Sequence, residues 1–196
     1  MSSAAPVPAE FLARLRQREP DALTEAVQEH ARPLLRAAKA LGFPAQEAED
    51  MVQDVFTTFI ERIDRFEGRS QLRTWLFGIL HNKALERRRA TAVDDRMDPI
   101  DTVFESRFDA NGQWARPPAE LERLLLSKEA GVLIHLCMEE LPANQRGVFV
   151  LREVEGIETT EICKILEISV TNLGVLMHRA RTRLRECLEA KGWGKG

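Results

Sequence analysis

The sequence contains no tyrosine, and its 196 residues include only 3 cysteines and 3 tryptophans. No run of alternating β-branched residues is present, so little in the sequence favours strands. The longest uninterrupted apolar run is Val148–Leu151, whereas a membrane-spanning helix needs about 20 apolar residues. Met1–Glu10 has neither a basic start nor an apolar stretch, and therefore gives no sign of a secretory signal. We expect a cytoplasmic protein with no membrane insertion.

Motifs that carry chemistry are also missing. Cys137, Cys163 and Cys187 are scattered singly, so the sequence predicts no disulfide framework and fits a reducing compartment. His135 stands close to Cys137, but this spacing points the two side chains to different faces of a helix and argues against a shared metal ion. The sequence contains no match to G-x-x-x-x-G-K, H-E-x-x-H or G-x-S-x-G. We therefore predict no metal site, no cofactor and no enzyme activity.

Helical periodicity, by contrast, runs through most of the chain. The expected helices extend from Asp21 to Leu41, from Ala48 to Ile63 and from Gln71 to about Arg89. The second of these is amphipathic, and its polar side is largely acidic. That polar side carries Asp50, Gln53, Asp54 and Glu61. Such a face is usually just solvated, but it also suits docking onto a basic protein partner.

The third expected helix lies in a strongly basic tract. Residues 69–89 carry a net charge of +5, although the whole chain carries −3. Cationic groups interleaved with aromatic rings and an amide are typical of single-stranded nucleic acid binding. A solvated helix face with Trp75 in the core is the simpler explanation for part of the pattern. We assign Trp75 to the core and Asn82 to base contact.

An acidic segment separates two helical parts. Residues 91–118 are rich in Asp and Pro, include Gly112 and show no sustained helical stripe, which predicts a flexible linker. Helical periodicity resumes near Ala119. The predicted fold is therefore all-α, with two small helical domains, at 1–90 and 119–196, joined by the acidic linker.

The C-terminal part has the pattern of a helix-turn-helix motif. A short helix capped by Thr159 or Thr160 is followed at once by a longer helix capped by Ser169. Thr171, Asn172 and Val175 near the start of the longer helix would face base edges in a major groove, and His178, Arg179 and Arg181 would reach phosphates or bases. The alternative is a basic helix face that pairs with the glutamates of residues 151–158.

Taken in order, these segments resemble bacterial sigma factors. Residues 48–56 are similar to the helix that binds core RNA polymerase, and residues 66–70 with Trp75 and Asn82 resemble the segment that recognises the −10 element. Leu141–Pro142 and residues 162–185 resemble the domain that binds the −35 element. The short two-domain layout resembles that of the extracytoplasmic-function (ECF) subgroup of the sigma-70 family.

The resemblance implies a transcription initiation factor, with core RNA polymerase and promoter DNA as partners and an anti-sigma factor as a regulator. It implies polymerase binding through Asp50, Gln53, Asp54 and Glu61. It implies contact with the single-stranded −10 element through Phe66, Arg69, Ser70, Arg73, Asn82, Lys83 and Arg87. It implies contact with the −35 duplex through Ser169, Thr171, Asn172, Val175, His178, Arg179 and Arg181. The acidic linker would then run through the basic interior of polymerase.

One departure from the family pattern concerns the recognition helix. Gly174, Val175 and Leu176 stand where many members carry a basic residue, a serine and a second basic residue, so the −35 sequence of relatives does not transfer to this chain. Two alternative functions remain open. A stand-alone helix-turn-helix regulator would bind duplex DNA without polymerase, and a sigma-like interaction module would sequester a partner. The mild net charge predicts that the free protein binds DNA poorly.

Overall fold

The structure is a computed structural model that describes residues 7–90 and 128–192. Within these ranges the chain forms helices and short helical turns, with no strand. The first part contains α1 (Ala9–Arg16), α2 (Pro20–Ala40), α3 (Ala45–Arg62), a 3₁₀ turn (Ile63–Arg65) and α4 (Leu72–Ala90). The second contains α5 (Lys128–Glu139), α6 (Ala143–Phe149), a π-helical turn (Val150–Val154), α7 (Thr159–Leu166) and α8 (Val170–Ala190). The prediction of an all-α fold with two domains is confirmed.

The described helices fall into two compact units. The first unit holds α1 to α4, and the second holds α5, α6, α8 and the start of α7. The predicted linker, residues 91–118, and the expected helical onset at Ala119 lie outside the described residues.

The first unit is built around the packing of α3 against α4. Helix α3 begins after Pro44 and buries an apolar stripe that includes Met51, Val55 and Phe59. The ring of Trp75 on α4 lies edge-on to Phe59, with centroids 5.7 Å apart. Trp75 therefore packs against apolar rings, but it is only half-buried and lies outside the fully buried core that the sequence predicted for it.

Helix α1 was not expected from the sequence. It has 8 residues, which is too short for helical periodicity to stand out. Its anchor is Leu15, whose side chain is fully buried. Gln17 ends the helix and Pro20 begins α2, where the fixed φ of proline suits the first turn. Helix α1 is thus held to the first unit mainly by tertiary burial.

In the second unit, α8 packs against both α5 and α6. Ser169 caps α8 as predicted, since its Oγ accepts a hydrogen bond from the backbone N–H of Asn172 at 3.1 Å. The predicted threonine cap of α7 is wrong. The N-cap residue is Glu158, with no side-chain capping hydrogen bond, so Thr159 and Thr160 lie inside the first turn. The helix begins earlier than threonine propensity alone suggested.

A disulfide joins Cys137 in α5 to Cys187 in α8. The prediction that the three cysteines build no disulfide framework is therefore wrong for Cys137 and Cys187. The two residues are 50 positions apart, and only the packing of α5 on α8 brings their Cα atoms to 5.8 Å. Cys163 in α7 is a free thiol whose pKa is raised by burial.

Candidate nucleic-acid and protein interfaces

The acidic residues predicted on α3 share one solvent-facing side of that helix. Asp50, Gln53, Asp54 and Glu61 are all exposed. They recur at the spacing that places side chains on one helical face. Ile60, which is 36% exposed, adds an apolar group beside them. The result is an acidic face with an apolar edge, and we call it the acidic face of α3.

One predicted DNA-binding residue is tied to this acidic face. An Nη2 hydrogen of Arg87, on α4, is donated to Oδ2 of Asp54 at 2.6 Å, and Nη1 donates to the backbone carbonyl of Glu47 at 2.7 Å. The Arg87 side chain is only 22% exposed. Arg87 therefore connects α4 to α3 instead of extending into solvent.

The segment from Phe66 to Ser70, called here the capture loop, is anchored at its start. Phe66 is 3% exposed, and its ring stacks on Trp75 with centroids 5.0 Å apart. The chain turns at Gly68, where φ is +73°. Arg69 projects outward and pairs with Glu67 at 2.6 Å. Of the predicted loop contacts, the structure buries Phe66 and leaves Arg69 exposed.

The predicted residues on α4 do not share one face. Nine positions separate Arg73 from Asn82, and at roughly 100° per residue they lie on opposite sides of the helix. Arg73 is half-buried with its guanidinium 5.5 Å from the centre of the Phe77 ring. Asn82 is exposed, whereas Lys83 is half-buried and pairs with Glu86 at 3.6 Å. Asn82 is thus the most accessible predicted base contact on this helix.

Behind Arg73, the first unit contains a buried imidazole beside a cavity. His30 on α2 is 7% exposed, and burial lowers its pKa, with the charge of Arg73 lowering it further and that of Glu29 opposing the shift. The cavity has a volume of about 720 Å³ and is lined by residues of α1, α2 and the start of α4. His30 is therefore neutral at physiological pH and belongs to the interior of the unit.

The helix-turn-helix of the second unit exposes the start of its longer helix. The connection between α7 and α8 passes through Glu167, which adopts a left-handed conformation with φ +55°. Ser169 and Thr171 are exposed, Asn172 is half-buried and Val170 is 51% exposed. Val170 was not singled out from the sequence, because an isolated apolar residue gives no signal of exposure. The N-terminal turn of α8 is open to a ligand.

Further along α8, the predicted contacts turn inward. Val175 is 3% exposed, and His178 and Arg179 are each 8% exposed. Arg181 forms a partly buried ion pair with Glu153 of the π-helical turn. For Arg181, the structure shows the intramolecular pairing that was the alternative interpretation of this basic helix.

Two further features concern residues 7–90 and 128–192, a membrane-spanning helix and a metal site. None of the helices there is long and apolar enough to cross a membrane. No group of three or more side chains in those ranges is arranged to hold a metal ion. The thiol of Cys137, which stands near His135 in sequence, is oxidised in the disulfide and does not serve as a thiolate ligand.

One unit thus has an acidic helix packed beside a basic one, and the other has a helix-turn-helix. The model of Sigma-70 region 2 matches residues 26–93, and that of Sigma-70 region 4 matches residues 131–184. A probable RNA polymerase sigma factor of Haemophilus influenzae is 32% identical over 75% of this chain and 79% of its own length. The ECF RNA polymerase sigma-E factor of Escherichia coli K12 is 28% identical over 70% of this chain and 72% of its own. The chain belongs to the sigma-70 family of RNA polymerase sigma factors, in its ECF subgroup, as the sequence resemblance implied.

Solved structures share the fold. CnrH, in complex with the cytosolic domain of CnrY, matches with a TM-score of 0.65 and 24% identity over 92% of this chain and 96% of that one. The sigma factor RpoE of Bartonella quintana, in complex with the anti-sigma factor NepR, matches with a TM-score of 0.64 and 24% identity. That match covers 85% of this chain and 96% of the other. At 24% identity, these two matches show that the fold is shared.

Proposed function

We propose that this protein directs promoter-specific transcription initiation as an ECF sigma factor bound to core RNA polymerase in the cytoplasm. The observation that carries the proposal is one chain with an acidic docking face, a basic helix beside it and a separate helix-turn-helix, in the order of the matched family regions. Its role is recognition and recruitment, with the chemistry left to polymerase. The domain extents we propose are 1–90 and 119–196, joined by a linker at 91–118.

Core polymerase binds the acidic face of α3. Asp50, Gln53, Asp54 and Glu61 offer carboxylate and amide groups to solvent on one side of the helix. Exposed charges of one sign steer a partner of opposite sign and fix its orientation. The apolar edge at Ile60 adds a surface that loses its water when the partner binds.

The −10 element is held in single-stranded form by the capture loop and α4. Arg69 and Lys83 neutralise phosphates, while Ser70 and Asn82 offer hydrogen bonds to unstacked bases. Phe66, Arg73 and Arg87 act from within the domain. Phe66 anchors the loop on Trp75, and Arg87 fixes α4 relative to α3.

The −35 duplex is read by the exposed start of α8. Ser169, Thr171 and Asn172 lie where backbone N–H groups and short polar side chains meet phosphates and base edges. Val175, His178 and Arg179 orient the helix through their packing, and Arg181 does so through Glu153. Few long cationic side chains then remain for direct base contact, so free protein binds this duplex weakly.

An anti-sigma factor is the proposed regulator. The two similar folds named above were both solved as complexes, and in one the partner is named as an anti-sigma factor. Such a partner would cover the surfaces that polymerase and DNA use.

The polymerase contact is tested by charge reversal on the acidic face of α3. The double variant Asp50→Lys with Glu61→Lys avoids Asp54, whose carboxylate also holds Arg87. We expect binding to core polymerase, measured with purified components, to fall at least tenfold. Glu49→Lys is the matched control, because Glu49 is exposed on the same helix about 100° away from Asp50. Equal loss in the control and the double variant, or no loss in either, would contradict the proposed docking face.

A further inference from the structure

Helix α1 contacts the capture loop and its approach, although it lies before residue 26, where the match to Sigma-70 region 2 begins. We propose that α1 is a positioning element for −10 recognition and that Arg16 is its principal positioning residue. This inference rests on the proposed function of the loop. It assigns to Arg16 no contact with DNA, only control of the backbone that presents the recognising side chains.

The central contact is a hydrogen bond from Arg16 to the loop backbone. Nη2 of Arg16 donates to the carbonyl oxygen of Phe66 at 2.8 Å in a partly buried position. Phe66 is where the 3₁₀ turn ends and the chain becomes extended, with φ −78° and ψ +106°. A carbonyl at such an end lacks a partner within the helix. The guanidinium supplies one through a charge-assisted bond, which fixes the direction in which the loop leaves.

A second contact lies just before the loop. Nη2 of Arg18 pairs with Oδ2 of Asp64 at 2.9 Å, across 46 residues of sequence. Arg18 adopts φ +54°, which is rare for a residue other than glycine. Both side chains are largely exposed, so this ion pair contributes little free energy by itself. It helps to hold α1 in the position relative to the loop that the hydrogen bond from Arg16 sets.

The third contact is between α1 and the turn of the loop at Gly68. A Cβ atom added at Gly68 would lie 2.8 Å from Cδ2 of Leu12. With φ at +73°, Gly68 therefore meets both a conformational and a steric requirement for glycine. Phe66 and Gly68, which α1 contacts, and Asp64, which Arg18 contacts just beyond the end of α1, alternate along the segment that leads to Arg69 and Ser70.

The functional consequence follows from the entropy of ordering a loop. A loop that samples many conformations must lose that freedom when it closes around an unstacked base, and this loss weakens binding. Two contacts from α1 and one from Arg18 just beyond it order the backbone before DNA arrives. Recognition of the −10 bases should then depend on Arg16 even though the phosphates and bases never touch it.

The experiment compares holoenzymes assembled with wild-type protein, Arg16→Ala and Arg14→Ala. Arg14 is the matched control, because it lies on the same helix and pairs with Glu19 at 3.0 Å. The probe is fluorescently labelled fork DNA with a single-stranded −10 segment, taken from a promoter that the wild-type holoenzyme transcribes. A second fork carries substituted −10 bases. The measurements are binding to each fork and binding to core polymerase.

We expect Arg16→Ala to lose about tenfold in affinity for the matched fork, with a much smaller change for the substituted fork. Discrimination between the forks falls, binding to core polymerase is retained, and Arg14→Ala behaves as wild type. Arg16→Lys, which keeps the charge and one donor, restores part of the discrimination. Wild-type discrimination in Arg16→Ala would overturn the inference while leaving the proposed function intact.

Leu12→Ala provides a second test should Arg16→Ala fail to fold. It removes the contact at Gly68 without changing charge, and we expect it to reduce discrimination as well. Undiminished discrimination in that variant would overturn the inference. If the wild-type holoenzyme itself does not distinguish the two forks, the proposed function of the capture loop fails and the inference fails with it.

Discussion

The two units share one kind of contact and differ in another. In both, arginines donate to backbone carbonyls of other segments, as Arg16 does to Phe66 in the first unit and Arg146 does to Leu141 in the second. In the second, a disulfide joins α5 to α8, and polar side chains such as Gln145 and Glu155 lie in the interior. In the first unit, the bond from Arg16 holds a loop in which Arg69 remains exposed. In the second, the disulfide holds α8 to α5.

This difference determines where DNA contacts are available. In the first unit, Arg69 and Asn82 remain exposed because neighbouring side chains provide the anchoring. In the second, Val175, His178 and Arg179 are themselves part of the interior. Contact with DNA is therefore expected from the capture loop and α4 in the first unit and from one helix terminus in the second. Substitutions that remove these contacts should therefore change the stability and the DNA binding of the two units to different extents.

The largest expected effect is the loss of the disulfide in the second unit. A cross-link that closes a loop of 50 residues restricts the unfolded chain by an amount worth about 4 kcal/mol. Cys137→Ser should lower the free energy of unfolding of the oxidised protein by up to this amount. Denaturant unfolding with and without a reducing agent measures the change. Cys163→Ser is the control, because that thiol is free. Equal stability of oxidised Cys137→Ser and Cys163→Ser would contradict the disulfide.

Next in size is a comparison of two glycines with left-handed backbones, one in each unit. Gly68 and Gly156 have φ of +73° and +62°, but only at Gly68 does an added Cβ meet another atom, Cδ2 of Leu12. Gly156→Ala should cost about 1 kcal/mol from conformational strain. Gly68→Ala should cost about 2 kcal/mol because Leu12 must also move. Thermal unfolding of the two variants measures the difference, and a larger loss at Gly156 would refute the packing of α1 on the loop.

The ion pair between Arg181 and Glu153 should have a smaller effect. Its side chains are 30% and 15% exposed, so removing one charge leaves the other partly desolvated. Glu153→Gln should reduce the stability of the second unit by about 1 kcal/mol. Glu189→Gln, which breaks the exposed pair of Arg185 and Glu189 at 3.9 Å, should cost less than about 0.5 kcal/mol. Denaturant titrations that rank these variants in reverse would contradict the inward orientation of Arg181.

The smallest effect concerns pH and is confined to the first unit. The pKa of His30 is lowered from its ordinary value of 6.5 in the folded state. Its proton therefore binds more readily to the unfolded chain, so stability should fall as pH drops below about 6.5. Substituting His30→Gln should reduce this pH dependence, whereas His135→Gln, at an exposed position in the second unit, should leave it in place. Unfolding curves between pH 7 and 5 that coincide for wild type and His30→Gln would show that His30 makes no such contribution.

Sequence patterns located helices well wherever local chemistry ends them. The predicted helix from Asp21 to Leu41 is Pro20–Ala40, and Ser169 caps α8 as expected. Proline, glycine and capping serine act through neighbouring backbone groups, and their signals are therefore visible in a short stretch of sequence.

What the sequence did not show depends on contacts between distant segments. The disulfide needs α5 to lie on α8, and the partner of Arg16 is 50 residues away. The amphipathic pattern of α3 located an exposed acidic face, since apolar periodicity reports burial directly. An arginine on α8 gives no comparable signal, because its long side chain serves equally as a buried partner or as a phosphate contact.

Reconstituted transcription tests the central claim most directly. Purified protein is added to core RNA polymerase with a library of genomic promoter fragments, and the 5′ ends of the transcripts are sequenced. We predict discrete start sites that share two elements upstream, together with weak binding of the free protein to the same DNA. Absence of any start site that depends on the protein would contradict the account, as would tight and specific binding of duplex DNA without polymerase.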